Sequence, residues 1–135
     1  MSVAVITGSN GLVGSESVRF FADKVSQVIG IDNNLREYFF GKDGSTIWNS
    51  KKLEKEFENF IPNNVDIRDN NKLQPIFEKY NNDISLIIHA AAQPSHDWAA
   101  TEPLTDFSVN ATGTLNLLEL TRTNCPKATF IFIST

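Results

Sequence analysis

The sequence has 135 residues, 41% of them hydrophobic and 21% charged, which suits one ordinary globular domain with a sizeable core. A net charge of −4 with no basic cluster argues against a nucleic-acid surface, and no apolar run approaches membrane-spanning length. The single cysteine, Cys125, excludes an internal disulfide and a cysteine-built metal site; with no charged-then-apolar leader ahead of residue 3, a cytoplasmic protein with no metal and no membrane partner is expected.

Residues 3–7, Val-Ala-Val-Ile-Thr, read as a buried parallel strand, and Gly8-Ser-Asn-Gly11-Leu-Val-Gly14 follows at once. The glycines sit where the strand would turn into a helix. Free backbone N–H groups and the positive end of the helix dipole at such a turn favour a pyrophosphate. Gly8 and Gly11 would let the backbone turn and approach the phosphates, and Gly14 would let the helix pack close to the strand. Leu12, Val13, Val18, Phe20 and Phe21 are expected to give that helix its apolar face, ending near residues 22–24. Residues 27–31 form the second strand, with Asp32 at its tip, about 20 residues beyond the glycines. A carboxylate there accepts hydrogen bonds from both adenosine ribose hydroxyls and repels a 2′-phosphate. NAD is therefore favoured over NADP, although Arg36 stands close by.

The span 33–59 is the least regular, with a helix expected through Leu53, Lys55, Glu56 and Phe57. Phe60 and Ile61 start a third short strand. Asp66-Ile-Arg-Asp then leads into a helix whose apolar positions Leu73, Ile76, Phe77 and Tyr80 are spaced i, i+3, i+4, i+7. Pro75 is tolerated if that helix begins near Lys72. Residues 84–89 make the fourth strand. Leu104, Phe107, Ala111, Leu115 and Leu118 are expected to be the apolar stripe of one long helix, with Pro103 in its first turn and Pro126 ending it. Residues 128–134 form a fifth strand, apolar on both faces as a central strand of a covered sheet would be. Strands alternating with helices predict an α/β fold, a doubly wound parallel sheet of Rossmann type. With no linker or helix after residue 134, the sheet is expected to be truncated after the fifth strand, so that residues 1–135 form one incomplete NAD-binding domain.

With these residues placed, the chain resembles the extended short-chain dehydrogenase/reductases, the NAD-dependent nucleotide-sugar epimerases and dehydratases. The matching motifs are Thr7-Gly8-Ser-Asn-Gly11-Leu-Val-Gly14, Asp32-Asn33, Asp66-Ile67, His89-Ala-Ala-Ala92, Asn110-Ala-Thr-Gly113-Thr114 and Ile133-Ser-Thr135, in the family's order and across the whole chain. The wording Gly113-Thr-Leu-Asn-Leu-Leu-Glu119 and the ending Ile-Ser-Thr look most like the CDP-paratose/CDP-tyvelose 2-epimerase branch. The resemblance implies that Asn10, Leu12 and Val13 line the pyrophosphate loop beside the glycines. It implies that Asp66 bonds the adenine amino group, that Ile67 packs on the ring, and that Asn33 belongs to the same adenosine end. Ala90, Ala91, Ala92 and Gln93 would border the cofactor across the strand ends, and Asn110 would bond backbone near the site. Thr135 would hydrogen-bond the reacting oxygen, together with a tyrosine and lysine from a Tyr-x-x-x-Lys helix. Neither Tyr38 nor Tyr80 lies after the fifth strand, so that pair and the domain gripping the nucleotide sugar are expected outside these residues. Family members are often homodimers through the counterpart of the long helix.

Bland readings stand beside these. The glycines serve turning alone, Asp66 is a helix-initiating acid, the alanines allow tight helix–sheet packing, and Asn110 is merely exposed. His89 reads as a satisfied core histidine, and His96-Asp97 as a polar loop on the ligand edge with no third metal ligand in spacing. Tyr38, Phe39, Phe40 and Trp48 either form a lid toward substrate or, as favoured here, bury the irregular segment against the sheet. Lys51 to Glu58 reads as the wet face of a helix. A non-catalytic dinucleotide-binding regulator and an NAD(P)-dependent reductase of the same fold are the alternatives to an epimerase or dehydratase.

Overall fold

The computed structural model describes residues 1–134; Thr135, the expected catalytic hydroxyl, lies outside the described residues. The elements in order are β1 (Val3–Thr7), α1 (Leu12–Phe21), β2 (Gln27–Asp32), α2 (Leu35–Phe40), α3 (Ile47–Glu56), β3 (Phe60–Asn64), α4 (Asn70–Tyr80), β4 (Ile84–His89), α5 (His96–Thr101), α6 (Pro103–Phe107), a π-helical turn (Ser108–Thr112), α7 (Gly113–Asn124) and β5 (Thr129–Phe132). The strands are all parallel in the order β3-β2-β1-β4-β5, with Val5 opposite Ile29 on one side and Ile87 on the other. This is the expected doubly wound α/β sheet of Rossmann type. The chain leaves β1 toward β2 and β3, then crosses back to β4 on the other side of β1. A crevice therefore opens at the carboxyl ends of β1 and β4, where open α/β sheets take ligands.

All five β1 residues are buried, because helices cover both faces of the strand. Val5, Ile29 and Ile87 share one core with Leu73 and Phe77 of α4 and Leu117 of α7. Ile6, Val28 and Ile88 share the other with Val18 of α1 and Leu53 of α3. Each fully buried Phe, Leu or Ile contributes about 1.5–3 kcal/mol, so the two layers hold the strand ends in fixed register.

Three expectations change. The buried side of α1 is Gly14, Ser15 and Val18, while Leu12, Val13 and Phe20 are exposed. Small residues face the strand because the helix comes too close to it for anything larger. The expected long helix runs from 103 to 124, but it takes a π turn midway whose extra residue rotates its later face. Val109, Gly113, Leu117 and Leu120 pack inward, and the expected stripe faces out, with Leu104 85% and Phe107 65% exposed. β5 pairs with β4, as the truncated sheet was expected to end, and its Ile131 and Phe132 are exposed among the described residues. Finally, α4 begins at Asn70, because the Asp69 side chain accepts a hydrogen bond from the Lys72 N–H and caps it there; Pro75 falls in its second turn.

Candidate functional site

The crevice forms one cleft of about 240 Å³, close to the lower end of small-molecule sites (about 300–1,000 Å³). Twelve of the expected cofactor residues line it: Gly8, Gly11, Leu12, Val13, Gly14, Asp32, Asn33, Asp66, Ile67, Ala90, Ala91 and Ala92.

One wall is the β1–α1 turn. Gly8 has φ +66°, and a Cβ there would stand 2.8 Å from the Ala91 nitrogen. At Gly14 an added Cβ would fall 1.9 Å from the Gly8 carbonyl oxygen. Gly11 accepts the first intrahelical bond, from the Ser15 N–H at 2.9 Å, and no side chain caps the helix. The N–H groups of Leu12, Val13 and Gly14 therefore precede the helix's own bonding and point their partial positive charge toward the cleft.

Asp32 stands across from this turn. Its Oδ2 accepts from the Asn10 N–H at 3.0 Å and its Oδ1 from the Asn34 N–H at 2.8 Å. Burial raises its pKa above the ordinary carboxylate value, against the two backbone bonds that favour the charged form. Each oxygen keeps acceptor capacity for a hydroxyl of a bound diol. Asn33 donates to Asp66 Oδ2 at 3.1 Å, tying the tip of β2 to the loop after β3. Asp66 is also gripped by Arg68, whose guanidinium lies 2.7 Å away. Burial pushes the Asp66 carboxyl up, but the bonds from Arg68 and Asn33 together hold it below its usual value. Ile67 is buried against Gly113 and still borders the cleft.

Asn10, Gln93 and Asn110 are not on the cleft wall. Asn10 is buried and receives the Asn49 side-chain amide on its carbonyl at 2.9 Å. Asn110, in the π turn, accepts from the Gln93 N–H at 2.9 Å and donates to Asp106 at 3.0 Å. Gln93 is buried and bonds Asp106 at 2.8 Å. These three fasten the loops that carry the lining residues.

The sequence reading missed Leu35, Phe39, Thr46, Val65, Pro94 and Val109, and left Arg36 unassigned. The signal for Leu35 and Phe39 was their i, i+4 spacing directly after Asp32. Of the four aromatics expected to bury the irregular segment, only Phe39 does so; Trp48 is 65% exposed and Tyr38 and Phe40 are also exposed. Phe39, which lines the cleft, also packs on Trp98, whose ring N–H donates to the Phe39 carbonyl at 2.7 Å, so α2 and α5 meet beside the cleft.

Tyr38 and Lys42 happen to stand at Tyr-x-x-x-Lys spacing, ahead of β3. The Tyr38 hydroxyl donates to Glu102 at 2.9 Å, and that bond raises its pKa. A tyrosine that takes a proton near neutral pH needs the opposite shift, and Tyr38 does not line the cleft. His89, at the end of β4, is buried with both ring nitrogens bonded, and burial lowers its pKa to about 4. His96 and Asp97 open α5 and do not line the cleft. No group of three His, Cys, Asp or Glu is placed to hold a metal, and no helix is long and apolar enough to cross a membrane, among the described residues.

Residues 4–135 match the family model described as the NAD dependent epimerase/dehydratase family. The chain belongs to that family. It is 34% identical over 120 residues to UDP-glucuronate 4-epimerase of Thermodesulfobacterium geofontis, covering 89% of this chain and 35% of that protein. It is 31% identical over 131 residues to CDP-paratose 2-epimerase of Salmonella typhi, covering 97% of this chain and 36% of that protein. The structure of a UDP-glucose 4-epimerase from Thermotoga maritima with UDP-glucose superposes with a TM-score of 0.77 at 27% identity, covering 100% of this chain and 38% of that one. The chain thus spans about a third of the length of these relatives.

Proposed function

We propose that residues 1–135 are the NAD-binding domain of an NAD-dependent nucleotide-sugar epimerase or dehydratase. The observation that carries this reading is that the uncapped start of α1 and the half-buried Asp32 open on one cleft. That pairing fits a dinucleotide: a diphosphate meets the N–H groups of Leu12 and Val13, and two ribose hydroxyls donate to Asp32. Small residues, Gly8 and Ala90 to Ala92, leave the floor free for the cofactor to lie across the strand ends. Asp66 and Ile67 border the adenine. NAD, when bound, supplies hydride transfer; the protein orients it and excludes water from its adenosine half.

The substrate on this reading is a nucleotide sugar. A CDP-sugar follows from the wording of residues 113–119, and a UDP-sugar is the substrate class named for the Thermodesulfobacterium relative. Thr135 is the hydroxyl assigned to the reacting oxygen, and a cytoplasmic site of action suits the single reduced Cys125. The outward stripe of Leu104, Phe107, Ala111, Leu115 and Leu118 is the surface assigned to a homodimer.

The test uses the full-length product of the gene, purified without added cofactor, and assayed with CDP- and UDP-hexoses while its sedimentation is measured. NAD retained through purification, an epimerised or dehydrated sugar and a dimeric mass are expected. NAD retained with no change in any sugar would instead support the regulator, and cofactor released on each turnover of a ketone or aldehyde would support the reductase. A monomer at micromolar concentration overturns the dimer assignment alone.

A further inference from the structure

Between the cofactor cleft and the π turn runs an unbroken chain of hydrogen bonds, and its direction is fixed at both ends. At one end, the Ala91 N–H donates to Thr7 Oγ1 at 3.2 Å. At the other, the Thr114 hydroxyl donates to the Asn110 carbonyl at 2.6 Å, and that carbonyl can only accept. The His89 ring lies between them, with Nδ1 2.7 Å from Thr7 Oγ1 and Nε2 2.8 Å from Thr114 Oγ1.

The hydroxyl proton of Thr114 is already spent on Asn110. Its oxygen can therefore only accept from His89, which places the ring proton on Nε2. Thr7 already accepts from Ala91, and among the described residues its proton has no acceptor other than His89 Nδ1. A doubly protonated ring would force two donors on Thr7 and strand that hydroxyl proton in a fully buried position. Donation thus runs from Ala91 through Thr7, His89 and Thr114 to the Asn110 carbonyl, with no buried side-chain polar atom left unpartnered among the described residues. Burial opposes a charged ring as well, holding its pKa at about 4.

We propose that His89 is a positioning residue, fixed as the neutral Nε2–H tautomer, that couples the alanine floor of the cleft to the π turn carrying Asn110. The consequence is geometric. Residues 91 and 93 are then held from two directions, Ala91 through His89 and Gln93 through Asn110 Oδ1 at 2.9 Å. Ala91 is also the residue against which Gly8 packs, so the chain fixes the gap between the phosphate turn and the opposite wall. A histidine here does what an apolar residue of equal volume cannot: it receives from one strand and gives to a helix.

The proposal rests on the NAD reading only where affinity is the readout, so the test has two arms. In the first, nitrogen NMR of the full-length product reports the His89 ring at neutral pH, assigned by its disappearance in His89→Gln. One protonated Nε2 and one unprotonated Nδ1 are expected. A protonated Nδ1, a tautomer mixture or an imidazolium overturns the proposal whether or not NAD binds. In the second, Thr114→Val and His89→Phe are expected to weaken NAD binding about tenfold, the worth of roughly one hydrogen bond. His89→Gln, which keeps a donor toward Thr114, is expected to recover part of that loss. Wild-type affinity in His89→Phe, or a weaker His89→Gln than His89→Phe, contradicts the proposal. Failure of the unsubstituted protein to bind NAD defeats the functional reading and leaves the NMR arm to decide this one.

Discussion

Gly14→Ala is expected to cost about 3 kcal/mol of stability or more and to reduce NAD affinity roughly 100-fold. The added methyl carbon would lie 1.9 Å from the Gly8 oxygen, 2.6 Å from the Gly8 carbonyl carbon and 2.9 Å from the Ser9 Cα. All three are backbone atoms of the turn that presents the helix start, so no side chain can swing aside. Relief requires α1 to move away from β1, and that displaces the N–H groups of Leu12 and Val13. Gly11→Ala is the matching control for stability alone, because Gly11 itself lines the cleft. Its methyl would meet only the Gly8 oxygen, at 3.4 Å, an ordinary contact, and its φ of −76° suits any residue. Denaturant unfolding of both variants checks the stability contrast and calorimetric titration of Gly14→Ala checks the affinity loss; equal stability of the two variants contradicts it.

Asp32→Ala is expected to weaken NAD binding about 100-fold, since it removes acceptors for two ribose hydroxyls in a partly buried site where charged hydrogen bonds are worth about 1.5–3 kcal/mol each. It also leaves the N–H groups of Asn10 and Asn34 without their carboxylate partner, which loosens the turn on one side and α2 on the other. Asp32→Asn separates charge from shape. It keeps one acceptor oxygen, so a smaller loss is expected, while the preference for NAD over NADP should collapse because the repulsion of a 2′-phosphate is gone. The sign of the pH effect follows from the raised pKa of Asp32. The ionised form is the better acceptor, so NAD affinity should fall as pH drops through that pKa, which lies above the usual 3.8. An unchanged cofactor ratio in Asp32→Asn, with unchanged pH dependence, contradicts this assignment.

These two residues were legible in the sequence because they belong to its most constrained part. A strand buried on both faces reads as an unbroken apolar run, and residues 3–7 and 28–31 are such runs. The turn between strand and helix demands residues without side chains, so its glycines announce themselves. Much of the rest lacks such marks. Helix α2 is six residues long, Leu-Arg-Glu-Tyr-Phe-Phe, too short to show a period, and its two cleft residues are visible only as a spaced pair.

The helix from 103 to 124 misled for another reason: it carries two apolar stripes. Leu104, Phe107, Leu115 and Leu118 are the bulkier, yet Val109, Gly113, Leu117 and Leu120 face the core. Side-chain size alone cannot say which stripe meets the sheet, and the π turn shifts the phase midway. The polar supports were half legible. Asn110, Gln93 and Asn10 were singled out as cofactor residues by resemblance; Asn110 bonds the Gln93 backbone as expected and the Asn10 N–H meets the Asp32 carboxylate, but none of the three lines the cleft. A residue that holds a lining residue and a residue that lines look alike in sequence.

The central claim, that the first turn and Asp32 together form a dinucleotide site, is tested most directly by a crystal structure of the full-length product grown with NAD. The account predicts the diphosphate against the N–H groups of Leu12 and Val13, with both adenosine ribose hydroxyls on the Asp32 carboxylate. A dinucleotide bound elsewhere, or one whose ribose leaves Asp32 bonded only to Asn10 and Asn34, would contradict it.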